Sequence, residues 1–333
     1  MLGVRGGTAV VLTIFTFAPA GAATPKLPPL TPEAVQGAPY ADLPEPPSKK
    51  ANPLVLKAEV LLARAHFSPG AMDGVDGDNF RKAIGAYQKA NNLPTSGKLD
   101  QATWTKLSAD TTPVLSDYEL TKADIRGPYT KRIPAKLEQM RNLKRLGYRD
   151  IKEMLGERFH ASVATLVALN PHSHFRKPGE TIKVPAAPPD HGTGKAARIV
   201  VDKADHDVEV FGPDNALLAF YPASIGSEEK PAPSGQFEIR RVVRNPDYTY
   251  DPAYAFKGVK AKKPFRIAPG PNNPVGAVWM DLSFEGYGIH GTPEPTAIGK
   301  TQSHGCIRLT NWDALDLASL VSKGTPVSFQ DGP

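Results

Sequence analysis

One short stretch of this 333-residue chain concentrates the groups that can do chemistry. Ile289-His290-Gly291-Thr292 is followed, across a turn-rich loop, by Ser303-His304-Gly305-Cys306-Ile307-Arg308-Leu309, and Cys306 is the sole cysteine. A cysteine attacks as its thiolate. A thiol with an ordinary pKa of about 8.5 therefore needs an adjacent base, usually imidazole, or nearby positive charge. His290 and His304 are candidate bases, and Arg308 adds charge two residues on. Gly305 lets the backbone bend tightly, so that consecutive N–H groups can face an oxyanion beside the sulfur. Nucleophile, base and oxyanion donors are the parts of acyl transfer; residue types alone do not rank His290 above His304. An inert buried thiol is the bland alternative, but His, Gly and Arg crowded around it would be an unusual way to fill a core. A zinc site from His290, His304 and Cys306 lacks a carboxylate or second thiol at suitable spacing, so no metal or organic cofactor is expected.

Alternating apolar patterns surround these residues. Ile199–Val201, Val208–Phe211, Leu217–Ser224, Phe237–Val243 and Val278–Phe284 read as strands rich in Val, Ile, Phe and Tyr. A helix follows the cysteine segment: Thr310 and Asp313 are spaced as a capping box, Trp312, Leu315, Leu320 and Val321 supply apolar positions, and Lys323-Gly324-Thr325-Pro326 stops it. Residues 197–330 should form one mostly β domain. Asn245–Pro252, with aromatics between prolines, is either a semi-rigid lid or a packed surface loop.

The period upstream is helical. Leu56–His66 and Phe80, Ala83, Ile84 and Tyr87 read as two helices, the second capped by Asp78 or Asn79, and a third begins at Asp100 with Trp104 and Leu107 inward. The Asp73-Gly74 and Asp76-Gly77 pairs between the first two are turns. A calcium loop would need oxygen ligands where Val75 and Gly77 stand. From Lys131 to Arg149 seven Lys or Arg face the single Glu138, with Leu137, Met140 and Leu143 spaced as one face of a solvated amphipathic helix; a polyanion contact is the alternative. Ile151–Leu155 and Ser162–Leu169 read as short helices before the strand Thr181–Pro185. His172 and His174 have no third ligand nearby and read as loop residues.

Three family resemblances follow from these residues. His290-Gly291-Thr292 with Ser303–Leu309, together with Pro233-Ser234-Gly235, Pro269–Gly276 and Tyr287-Gly288-Ile289, resembles the L,D-transpeptidase (YkuD-like) catalytic domain from Arg198 to about Phe329. Val55–Ser108 resembles the three-helix peptidoglycan-binding module, through Asp73-Gly74, Asp76-Gly77, Ala83–Gln88, Leu93-Pro94, Gly97, Leu99-Asp100 and Thr103-Trp104. Asn170-Pro171, Pro178-Gly179 and Thr181–Pro185 resemble the end of a LysM carbohydrate-binding repeat whose opening strand and Gly-Asp-Thr are missing. The first resemblance implies a β-sandwich-like domain in which Cys306 is the nucleophile, His290 the general base and acid, and the Gly291 carbonyl orients the imidazole. It also implies that His304, Gly305 and Cys306 line the oxyanion hole, while Ser303, Arg308 and Tyr287 shape the substrate pocket. The implied reaction cleaves the bond between stem residue 3 and D-Ala 4 of peptidoglycan through a thioester, and an amine from a neighbouring stem resolves it to a 3-3 cross-link. Water as acceptor would make an L,D-carboxypeptidase. A non-catalytic wall-binding protein and a cysteine endopeptidase or amidase are the rivals from other classes.

Composition sets the frame. Hydrophobic residues at 40% and charged residues at 22% fit a multidomain α+β protein that folds in water. The net charge of +6 comes without the basic and aromatic pattern of nucleic-acid binders, so no nucleic-acid partner is expected; peptidoglycan is the partner that the resemblances imply. Arg5, the apolar run Thr8–Phe17 and Ala20-Gly21-Ala22 read as a signal peptide over 1–23, placing the protein in the periplasm or envelope of a bacterium with no membrane span after cleavage. A lone cysteine there forms no internal disulfide. The 34 prolines are about twice average usage and mark linkers. The expected order is a signal peptide over 1–23, a Pro-rich linker over 24–54 and a peptidoglycan-binding-like helical module over 55–110. A linker over 111–135, a LysM-like segment over 136–187 and the catalytic domain over 197–330 complete it. Insulated this way, binding and chemistry should separate along the chain. Oligomeric state is not legible.

Overall fold

The computed structural model describes residues 28–186, 194–227, 230–254, 259–301 and 305–332; the expected signal segment lies outside them. Among the described residues no helix is long and apolar enough to cross a membrane.

The first module holds α1 (Pro32–Gln36), α2 (Pro53–Arg64), α3 (Asp78–Ala90) and α4 (Gln101–Leu107). Asn52 caps α2 and Asp100 caps α4 through their side chains, whereas Gly77 occupies the cap of α3 without a side-chain bond, displacing the expected Asp78 or Asn79. Ile84, Leu56, Leu62 and Trp104 are buried in its core. The Asp73–Gly77 stretch is a structural turn. Gly74 N donates to Glu59 Oε2 at 2.8 Å, and Arg81 Nε holds Asp76 at 2.8 Å. The Pro-rich linker expected over 24–54 is ordered where it is described. Thr31 caps α1, and Val35 is fully buried against α2, a burial that stabilises by about 1.5–3 kcal/mol. The Pro-, Ala- and Glu-rich composition of 24–53, with no apolar period, reads as a disordered spacer; from residue 28 on the structure corrects this, because Val35 packs into the core beside α2.

The middle module is built from β1 (Leu115–Glu119), α5 (Lys122–Arg126), α6 (Leu137–Met140), α7 (Ile151–Arg158), α8 (Val163–Leu169) and β2 (Thr181–Pro185). β1 pairs antiparallel with β2, from Leu115 opposite Pro185 to Glu119 opposite Thr181. Leu155, Leu166, Phe175, Ile182 and Val184 fill the small core beneath. The stretch 111–135, expected as a linker, therefore supplies β1 and α5 to this module, some twenty residues upstream of the expected start at 136. The amphipathic helix expected across 131–149 is also corrected. Only Leu137–Met140 is helical, because Pro134 and Gly147 bracket a segment whose backbone bonds go to other parts of the molecule. Thr130 N donates to Tyr148 O at 2.8 Å, closing a strap over 130–148.

The third module carries β3 (Arg198–Asp202), β4 (Asp207–Phe211), β5 (Leu217–Pro222), β6 (Ser224–Ile225), β7 (Gly235–Arg244), β8 (Tyr248–Tyr250), β9 (Phe265–Ile267), β10 (Val278–Leu282), β11 (Gly288–His290), β12 (Ile307–Arg308), α9 (Asn311–Leu320) and β13 (Pro326–Gln330). Nine strands run in the order β5-β4-β3-β13-β7-β10-β11-β12-β6. The first half of β7 pairs with β13 and the second half with β10. Only Ala223 separates β5 from β6, which stand at opposite ends of that order, so the sheet wraps round on itself in a sandwich-like form. Its interior holds Ile199, Val210, Ile239, Met280, Ile289, Ile307 and Leu317 of α9. All five expected strands are present.

The modules are not insulated. Ser68 N donates to Phe220 O and Phe220 N to His66 O, each at 2.9 Å, extending β5 onto the first module. Met72 N donates to His160 O at 2.9 Å, joining first and middle modules. Phe220 itself lies in the first module's core.

Candidate active site

A single sharp turn of sheet brings the chemistry together. β11 and β12 pair in parallel, Ile289 opposite Ile307 and His290 opposite Arg308, so the cysteine one residue before β12 lies beside the start of β11. Gly288 N–H accordingly donates to the sulfur of Cys306. Gly305 holds φ +106°, and a Cβ there would lie 2.9 Å from the Tyr287 ring, so glycine is required on both counts. Cys306 and His290 open with Tyr287 and Arg308 on one cavity of about 1090 Å³. Ser303 and His304 lie outside the described residues.

His290 is buried among fixed partners. Its Nδ1 lies 2.7 Å from the carbonyl oxygen of Gly291; a carbonyl only accepts, so Nδ1 carries the hydrogen and Nε2 has the free lone pair. The Trp279 indole stacks on the imidazole at 5.5 Å and 23°. A Cβ on Gly288 would fall 2.5 Å from that indole, which makes glycine at 288 a condition of the stack. Burial above all, with the positive charge of Arg308, pushes the imidazole down to about 4, against the opposing hydrogen bond to Gly291. Burial likewise pushes the Cys306 thiol up, opposed by Gly288 N–H and by the charges of Arg308 and Lys230. Both shifts favour the neutral forms of thiol and imidazole. The thiol is half-buried, open to the cavity while screened from bulk water.

Behind His290 stands Asn311, the first residue of α9. Its Oδ1 accepts from Ala277 N at 2.9 Å, and its Nδ2 donates to Glu157 Oε2 and to Pro271 O, each at 3.1 Å. A Cβ on Gly291 or Gly276 would sit on top of Asn311 Oδ1. α9 begins as expected, with Asp313 N donating to Thr310 Oγ1 at 3.1 Å.

Tyr248 of β8 lines the same cavity, its hydroxyl pushed up by burial and by the thiol nearby. Sequence reading placed it in a candidate lid and gave it no role. Trp279 and Asn311 were missed altogether: a Trp in an alternating strand and an Asn at a helix start carry no signal until the sheet folds. Among the described residues no group of three His, Cys, Asp or Glu could hold a metal ion; His172 and His174 are exposed.

An oriented histidine at the end of one strand and a cysteine just before the parallel neighbouring strand of a sandwich-like sheet, behind two accessory modules, define the class by fold and site. Residues 196–328 match the family model described as L,D-transpeptidase catalytic domain, and residues 51–107 that described as "Putative peptidoglycan binding domain". The "Putative L,D-transpeptidase YkuD" of Bacillus subtilis is 30% identical over 172 residues, 51% of this chain and 88% of that relative. Its Bacillus licheniformis counterpart is 37% identical over 132 residues, 40% of this chain and 64% of the relative. The crystal structure of L,D-transpeptidase 3 from Mycobacterium tuberculosis is similar at 23% identity with a TM-score of 0.32, covering 46% of this chain and 76% of that one. The chain belongs to the L,D-transpeptidase family. Its C-terminal module is an L,D-transpeptidase catalytic domain, and its N-terminal helical module is of the peptidoglycan-binding type.

Proposed function

We propose that this protein is an exported cysteine acyltransferase that exchanges peptidoglycan cross-links in the bacterial envelope, Cys306 being the nucleophile and His290 the base. The observation that carries the reading is the commitment of His290 Nδ1 to Gly291 O at 2.7 Å, which leaves Nε2 as proton acceptor on the cavity shared with Cys306. His290 takes the thiol proton as sulfur attacks the carbonyl of stem residue 3. Backbone N–H groups of residues 304–306, with Gly305 in its glycine-only conformation, receive the oxyanion. Collapse breaks the peptide bond, and His290 returns the proton to the departing D-Ala amine, leaving a thioester on Cys306. The same imidazole then deprotonates an incoming stem amine, whose attack forms the 3-3 cross-link and restores the thiol. Ser303, Tyr287 and Arg308 shape the donor pocket, and Arg308 lowers the cost of developing thiolate charge. The N-terminal module holds the polymer.

The test is incubation of the mature protein with tetrapeptide-stem muropeptides and mass spectrometry of the products. A dimer lacking one D-Ala, with a thioester trapped on Cys306, supports transpeptidation. A tripeptide with no dimer would replace it by hydrolysis, and no release of D-Ala would end the reading.

A further inference from the structure

The catalytic cavity is not made by the catalytic module alone. Ala135, Lys136, Leu137 and Glu138, on the strap that the middle module inserts between α5 and α7, line it together with Cys306 and His290. The strap is fastened at both ends. At its base Leu146 N donates to Pro269 O and Asn272 N to Leu146 O, each at 2.9 Å, and Asn272 Nδ2 donates to Gly147 O at 3.0 Å. Gly270 has φ +141°, and a Cβ there would sit on the carbonyl oxygen of Leu146, so the two backbones fit only through glycine. At its tip Glu138 Oε1 accepts from Lys260 N at 2.7 Å, and the Arg141 guanidinium lies 5.8 Å from the Phe265 ring centre.

This fastening decides the charge of the wall. Glu138 is the strap's only acid, and its carboxylate is spent on backbone N–H groups of 260 and 261. The cavity's other acids are engaged as well: Asp281 pairs with Arg241 at 3.4 Å, and Asp247 pairs with Arg266. Lys136 is exposed at the cavity; its charge acts on Glu138 two residues on, but it makes no close ion pair among the described residues. A fastened wall that presents an exposed ammonium beside apolar Leu137, its one neighbouring carboxylate already bonded to backbone N–H groups, suits a carboxylate on an extended ligand.

We propose that the middle-module strap is a specificity-determining wall of the catalytic groove, and that Lys136 on it binds a side carboxylate of the donor stem peptide. The inference rests on the transpeptidase reading and deepens it by naming the substrate group that is recognised. A charge-assisted hydrogen bond of this kind, partly exposed, is worth about tenfold in kcat/KM.

The test uses the full chain and three forms of a tetrapeptide muropeptide: free acid, amidated on residue 2, and amidated on residue 3. Lys136→Ala should lose about tenfold in kcat/KM on the free acid, mainly through KM, and Lys136→Arg should recover most of it. Lys136→Ala should equal wild type on whichever amidated stem has lost the recognised carboxylate, which identifies its source. Lys144→Ala, on the strap but away from the cavity, should match wild type throughout. Equal kinetics for Lys136→Ala and wild type on the free acid would overturn the proposal, as would equal losses on all three stems. Wild-type protein that released D-Ala from none of them would instead overturn the transpeptidase reading, so the two failures are distinguishable.

Discussion

The β11–β12 pair and the strap contribute to one cavity by opposite routes. The pair places Cys306 and His290 with residues 16 positions apart in the chain, through two parallel registers. The strap places Lys136 there from another module, some 170 residues from Cys306, through backbone bonds to 260, 269 and 272. On the proposed reading, the chemistry is drawn from one short stretch of sequence, whereas part of the recognition comes from a distant module. Substitution at the first region should therefore stop the reaction, while substitution at the second should leave the reaction intact and weaken its grip on substrate.

The largest effect tests the first half of that contrast. Cys306→Ala removes the only thiol and should bring D-Ala release below about one per cent of wild type, with circular dichroism and melting unchanged because the side chain is half-buried and small. Residual turnover above that level would move the nucleophile elsewhere. Next comes His290→Ala, expected to slow single-turnover acylation by about 10²- to 10⁴-fold, the usual worth of a positioned base. His304→Ala should be milder; the reverse ranking would exchange their roles.

Removing residues 24–190 sharpens the contrast from the other side. Read from the sequence, with prolines as insulators, this truncation should spare soluble muropeptides. The structure reverses the expectation. The truncated chain loses the strap that lines the cavity, the Glu157 bond to Asn311 behind His290, and the backbone bonds of Phe220 to the first module. Soluble stems should be processed at least about tenfold more slowly, with a lowered melting temperature. Retention of wild-type kcat/KM on soluble stems would show that the modules are separable after all.

The sequence-level expectations divide along the same line. Strand period, helix caps and the His290 and Cys306 segments were legible because each is a statement about neighbours in the chain: Val and Ile alternation in β3 and β4, Thr310 before α9, Gly305 before the thiol. The ordered stretch 28–54, the strand β1, the strap and the roles of Trp279 and Asn311 were not. Leu137, Met140 and Leu143 do have helical spacing, but the energy that decides their structure is in contacts with β9 and the 269–272 loop, invisible to a local pattern. Gly270 offered one clue, since it follows a proline and must adopt a conformation open only to glycine, yet nothing near it in the chain says that Leu146 is what it meets.

pH should separate chemistry from assembly more gently. Acylation requires neutral His290, whose imidazole is pushed down to about 4, so kcat/KM should hold through mildly acidic pH and fall as pH drops through about 4. Arg308→Gln removes a cation that both depresses His290 and favours the thiolate. The acid limb should then move to higher pH and the maximal rate decline; an unmoved limb would mean that a group other than His290 titrates there.

The smallest effect belongs to the junction between modules. Asp313, third in α9, is fully buried beside Ser68 of the first module; its Oδ2 has no hydrogen-bond partner among the described residues, and burial pushes its carboxyl up to about 7. Burial pushes Glu157, on the middle module, up to about 8. In the unfolded chain such carboxyls titrate near 4. Between about pH 4 and pH 7–8 the native state therefore holds protons that the unfolded chain has released. Stability contributed by these groups is full below about pH 4 and is lost as pH rises towards 7–8, levelling off above. Melting temperature should decline by on the order of 5 °C from pH 5 to pH 8. Asp313→Asn, which keeps the shape and cannot ionise, should flatten part of that decline, and Glu157→Gln, which also keeps a partner for Asn311, should flatten more of it. Undiminished slopes in both variants would place the titrating groups outside the junction, and with them any pH sensitivity of the contact between the strap-bearing module and the catalytic sheet.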